Sequence, residues 1–235
     1  MRPTTTLAAA AAATLMLAVP ALAETRAIEL PPFTGVDVSS GIDAVVAIGP
    51  TQSVAAEAAD PRLLDDLQVK VEGGTLKAYF DWNIFDLLNF GADRRITLRI
   101  TAPAIDKVVA SAGSDINATG ISGDHLSFNA SSGSDISASG VAARSIDLNA
   151  SSGAGLDIVG TCDVAKANAS SGSDLDASEL ICATVDANAS SGSDLEVHAT
   201  AAVKANASSG SDVKVTGSPA RVDQESSSGG GIEIH

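Results

Sequence analysis

Between Val108 and Ile234 apolar and polar residues alternate with a period of two, and the alternation restarts at nearly fixed intervals. A period of two puts successive side chains on opposite faces of an extended strand. A small polar heptad marks each restart. NASSGSD fills Asn129–Asp135, Asn168–Asp174, Asn188–Asp194 and Asn206–Asp212, and NASSGAG fills Asn149–Gly155. Taking the glycine of each unit (Gly113, Gly133, Gly153, Gly172, Gly192, Gly210, Gly229) gives spacings of 20, 20, 19, 20, 18 and 19 residues. A fixed period of this length indicates a solenoid, whose units bury their apolar faces only by stacking on one another. The leucine pattern of a leucine-rich repeat is absent, so the unit reads as strands.

Aligning the units on that glycine exposes columns. Three residues after it stand Ile116, Ile136, Leu156, Leu175, Leu195, Val213 and Ile232. Five residues before it stand Val108, Phe128, Leu148, Ala167, Ala187 and Ala205, until Gln224 breaks the column. These are interior positions, and the residues between them are mostly polar. Each coil thus supplies two strands that meet at the Ser-Ser-Gly-Ser corner, with a second turn near Gly120, Gly140, Gly160 and Gly217. Parallel coils stack about 4.8 Å apart, the spacing of neighbouring strands. The expected fold is all-β: a parallel β-helix of about seven rungs over residues 111–235, with right-handed winding expected, preceded by an N-terminal β region over 24–110.

An outward column carries the register. Six residues before each marker come Lys107, Ser127, Asp147, Lys166, Asp186, Lys204 and Asp223, alternating in sign from Asp147 onward. A slip by one rung would place like charges together. The Asn column predicts amide ladders from rung to rung. The glycine permits the positive φ of a sharp corner, and the Asp two residues later is expected to cap it in an Asx-type turn.

Composition narrows the class. Arg2, the apolar run Leu7–Val19 and the small residues Ala21-Leu22-Ala23 read as a secretory signal peptide over residues 1–23, cut before Glu24. Export to the periplasm, the medium or the cell surface follows, with no transmembrane segment after signal removal. Loss of Arg2 with the leader takes the formal charge from −15 to −16. So acidic a surface repels nucleic acid and anionic headgroups while attracting cations. Seven aromatics among 235 residues cannot fill a wide core, but they suit a thin, layered one.

The stretch ahead of the repeats runs from Pro31-Pro32-Phe33 through Val45–Ile48, a Gly-Pro turn, Leu63-Leu64, Val69–Gly73 and Leu76 to Ile96–Ile100 and Ala102-Pro103. That order, followed by the Ser-x-Gly-Ser-Asp-Ile corner at Ser111–Ile116, resembles the head-GIN-domain family of putative autotransporter adhesins, a bacterial family of unknown function. The resemblance spans about Ile28 to Ile234. It implies a β-helical domain outside the cytoplasm, and it brings no catalytic residues. Tyr79–Phe90 departs from the pattern, holding five of the seven aromatics where a plain turn would suffice. An apolar flap over the solenoid end is the favoured reading. The rival is a partner-binding surface formed by Trp82, Phe85 and Phe90.

Candidate chemistry is sparse. Asp115, Asp135, Asp174, Asp194 and Asp212 share one column, and Ca²⁺ would relieve their repulsion. The repeat lacks the nine-residue calcium signature, however, so turn capping is preferred. Cys162 and Cys182 each lie ten residues before a marker, and their register with an oxidising compartment predicts a disulfide rather than free thiols or a metal pair. His125, His198 and His235 stand in different places, and the serines belong to corners without a histidine nearby. No catalytic set, metal or cofactor is expected. The five Asn-Ala-Ser sequons follow from the repeat and receive no role. The expected function is a non-catalytic structural or adhesion-type binding module for an envelope or surface protein or glycan. The alternative is a β-helical polysaccharide-active protein or Ca²⁺-dependent carbohydrate binder.

Overall fold

The computed structural model describes residues 24–80 and 95–235. The N-terminal strands are β1 (Glu24–Ala27), β2 (Gly35–Val38), β3 (Asp43–Ile48) and β4 (Ser53–Ala58), followed by the short helix α1 (Arg62–Asp66). Next come β5 (Leu67–Glu72), β6 (Thr75–Phe80), β7 (Ile96–Ala102), β8 (Lys107–Ala110) and β9 (Asp115–Thr119). The longest strands follow: β10 (Ser122–Ser131), β11 (Asp135–Ser151), β12 (Gly155–Ser170), β13 (Asp174–Ser190) and β14 (Asp194–Ser208). The chain closes with β15 (Asp212–Thr216), β16 (Arg221–Ser227) and β17 (Gly231–Ile234).

From Lys107 the strands wind as a β-solenoid in the register that the columns predict. Ile116 pairs with Ile136, then Leu156, Leu175, Leu195, Val213 and Ile232, every step parallel. The seven marked corners are therefore joined by six parallel steps. Inward side chains from both strands of each coil form one narrow core, in which Phe128, Leu148, Leu156, Ile158 and Ala187 are buried. Variation in unit length is absorbed at the second turn, where the register shifts between Ala138 and Val141, Asp157 and Gly160, and Ala177 and Ile181.

Spatial order departs from chain order at the N-terminal end. β2 lies between β6 and β8, and β3 between β7 and β9, all parallel. The chain thus lays its second layer first and returns to place β6 and β7 beneath it. That end is closed by antiparallel strands, β4 on β7, β1 on β4 and β5 on β6, with Leu63 and Leu64 of α1 buried. Antiparallel strands cannot continue a parallel coil, so they terminate it. The β2–β3 junction reads Ser39-Ser40-Gly41-Ile42-Asp43 and is the same corner: Ser40 and Gly41 have φ of 68° and 71°. The stacking therefore starts before the marked repeats. The Ser-Ser-Gly-x-Asp string was its visible signal.

The heptad acts through its backbone and one serine. Both Ser132 and Gly133 are left-handed, with φ of 57° and 65°, and the pattern recurs at every marked corner. A Cβ at Gly133 would meet nothing, so the demand there is conformational rather than spatial. The corner amides donate to the next layer, Gly133 to Ser152 O at 3.1 Å and Gly172 to Ser191 O at 3.1 Å. The serine after the glycine points inward. Ser134 Oγ accepts from Ser131 N at 3.0 Å and donates to Ala110 O at 2.9 Å, so its hydroxyl is satisfied while buried. Ser173 and Ser193 repeat this. At Asp135 the side chain bonds across layers rather than in the expected Asx-type cap, its Oδ1 accepting from Gly155 N at 2.9 Å. An Asx-type bond occurs at Asp176, which accepts from Ser178 N.

The Asn ladder forms: Asn149, Asn168, Asn188 and Asn206 each donate to the amide oxygen one layer before, at 2.8–3.3 Å. Lys166 pairs in register with Asp147 on one side and Asp186 on the other. Yet no ion pair within 4 Å joins these three among the described residues, and Asp186 instead accepts from Asn188 at 3.0 Å. The charge column thus acts through proximity rather than contact. Lys166→Asp should therefore cost about 0.5–1 kcal/mol at low salt, through two new repulsions. Added salt should recover much of it by screening. An unchanged melting temperature at low ionic strength would remove charge from the register argument.

Candidate functional site

The outward side of the strands that follow each corner carries stacked carboxylates. Asp115 pairs with Asp135, Gly155 with Asp135 and Asp174, Asp174 with Asp194, and Asp194 with Asp212. The column is therefore real, with Gly155 and Gly231 as its gaps. Two residues along each strand a second column runs Ser137, Asp157, Asp176, Glu196, Lys214 and Glu233. Lys214 Nζ reaches Glu196 at 2.9 Å and neutralises part of this surface. Asp174, Asp194, Glu196, Asp212, Lys214 and Glu233 line an open groove of about 410 Å³.

Three carboxylates of the stack, Asp43, Asp157 and Asp174, have a raised pKa. Asp174 is pushed up first by partial burial and then by the charges of Asp194, Asp176 and Glu196. Asp157 rises by burial and by Asp176 and Glu179, and Asp43 by burial and by Asp115. A group whose folded pKa is raised binds its proton more tightly when folded, so it adds stability as pH falls through that value. Glu57, Asp60 and Glu72 have the opposite sign, held down by hydrogen bonds from Arg99, Arg62 and Lys70. Their contribution is present above the ordinary carboxylate range and is lost as pH falls below about 4. Melting temperature at constant ionic strength should accordingly rise as pH falls from about 7 towards the ordinary carboxylate range and fall again below about pH 4. A steady decline from pH 7 to 4 would show that the stacked carboxylates do not govern acid stability.

The carboxylates lie along a face and do not converge. Among the described residues no group of three His, Cys, Asp or Glu is arranged to hold a metal ion. Arg144 pairs with Asp124 at 3.4 Å, away from the Asp column. One expectation needs correction: a serine does have a histidine beside it. His125 Nδ1 lies 3.0 Å from Ser145 Oγ on the next layer. Their separation of one period, 20 residues, was the overlooked signal. No carboxylate orients the ring, since His125 has no other bonded partner among the described residues. The pair sits on the outer surface. His198 bonds Thr216 Oγ1 at 3.1 Å, and His235 lies 3.6 Å from Glu233.

Cys162 and Cys182 are register partners on adjacent layers, with Cα atoms 4.5 Å apart and a disulfide between them. Trp82, Phe85 and Phe90 fall outside the described residues. No helix among the described residues is long and apolar enough to cross a membrane.

Comparison with known proteins fits this picture. The family model described as putative auto-transporter adhesin, head GIN domain, matches residues 32–219. The chain belongs to the head GIN domain family. None of the curated proteins is similar to this head GIN domain at a significant level. Its fold is shared with a putative adhesin from Bacteroides fragilis, at a TM-score of 0.80 and 16% identity over 91% of this chain and 97% of that one. A putative adhesin from Parabacteroides merdae matches at 0.67 and 15%, over 92% and 97% of the two chains. A putative lipid binding protein from Parabacteroides distasonis matches at 0.63 and 16%, over 92% and 95%. Identities this low speak for the fold alone.

Proposed function

We propose that this head GIN domain is an exported, non-catalytic binding module of adhesion type, working at the cell envelope or surface. One observation carries the reading. Among the described residues the interior columns, corners and ladders are occupied by stacking and hydrogen bonding, and what remains is long outward surface rather than a convergent site. Such a scaffold presents regular faces to an extended protein or glycan partner. The leader-like residues 1–23 and the adhesin family support export. Trp82, Phe85 and Phe90 are the candidate contact residues, because they are three of only seven aromatics in the chain.

The mature protein and its Trp82→Ser/Phe85→Ser variant should be compared on a printed glycan array and on mucin-coated surfaces, beside thermal melts. Attachment by the wild type, lost in a variant of full stability, would place binding at these residues. Attachment kept in a destabilised variant would make them the flap instead. The binding reading fails if the wild type attaches to nothing. Release of reducing ends from a panel of polysaccharides would establish the polysaccharide-active alternative, and glycan binding abolished by EDTA the Ca²⁺-dependent one.

A further inference from the structure

The β16 half of the last coil differs chemically from the coils before it, while β17 continues the aliphatic column with Ile232 and Ile234. Ala205 and Ala207 of β14 pair in register with Gln224 and Ser226 of β16. In the preceding coils these inward columns hold Phe128, Leu148, Ala167 and Ala187, and Ala130, Ala150, Ala169 and Ala189, all buried. Gln224 and Ser226 are exposed, and Val222 beside them is 45% exposed. The corner changes too. Gly230 stands where Ser193 and Ser211 place their inward hydroxyls, and a Cβ there would lie 2.5 Å from Ala207 O. The bare backbone at Gly230 therefore folds directly over Ala207, and its N–H donates to Ser227 O in its own coil at 3.0 Å.

β16 pairs only with β14, and β17 only with β15, so both carry a free edge among the described residues. A free parallel edge above an apolar column is a template for another strand. The opposite end is shielded by β1, β4 and β5, which run antiparallel. Here no strand among the described residues does that work. Polar side chains do, because a layer stacked on Gln224 and Ser226 would bury them without partners.

We propose that β16, Arg221–Ser227, is a built-in stop that keeps a second copy of this chain from stacking on the free edge, leaving the lateral faces as the surfaces for recognition. Gln224→Ala/Ser226→Ala restores the alanine columns and so removes the stop. Sedimentation velocity across a wide concentration range should show the wild type as one monomeric species. The variant should self-associate about tenfold or more tightly, as loss of a desolvation barrier of that size implies. Amides of β16 and β17 should then gain protection from hydrogen exchange in the associated species. Ser137→Ala, an equivalent trimming on an outward face, should leave the protein monomeric. Gln224→Ala alone is the milder variant should the double one fold poorly. A folded variant that sediments like the wild type would overturn the proposal. So would wild-type protein already stacked through β16.

Discussion

Phe128→Ala should lower the stability of the folded chain by about 3–5 kcal/mol, the range for deleting a fully buried aromatic side chain. Phe128 is 1% exposed and sits in register between Val108 and Leu148. A solenoid layer touches only the layer on either side, so few neighbours can move to fill the void. The melting temperature should drop by about 6–20 °C for a chain of this size. Calorimetry beside a urea titration measures both quantities. A loss under about 1 kcal/mol would mean that the column at Phe128 is not closely packed, against the layered core described above.

Breaking the bridge between Cys162 and Cys182 is the second large effect. The bridge closes a loop of 20 residues, for which chain-entropy arguments give about 3 kcal/mol. Both residues are nearly buried, so the double alanine variant also trims core volume. The mature protein should weigh two hydrogens less before reduction than after, with no thiol open to alkylation. Reduction should then bring the melting temperature down by about 6–12 °C. Two alkylatable thiols in freshly prepared exported protein would sink the bridge. A bridged protein whose melt ignores reduction would leave it without a stabilising role.

The repeat made much of this molecule legible from residues alone. Alternation with a period of two, restarted every 18–20 residues, is enough to place Ile116, Ile136 and Leu156 inside and Asp115 and Asp135 outside. The pairing of Cys162 with Cys182 and the Asn ladder are also consequences of that single period. Local chemistry could be read because each layer repeats the one before. Long-range placement could not. Nothing local in β2 says that it will lie between β6 and β8, because a parallel edge accepts any strand of matching register and hydrogen-bonding groups carry no address. The winding brought His125 to Ser145, left the charge column in register without closed ion pairs, and turned Ser134 and Ser173 into interior hydrogen-bonding residues. Which polar residues meet and which merely stand near each other depends on distances of a few tenths of an ångström between layers. Those distances are set only once the whole stack has closed.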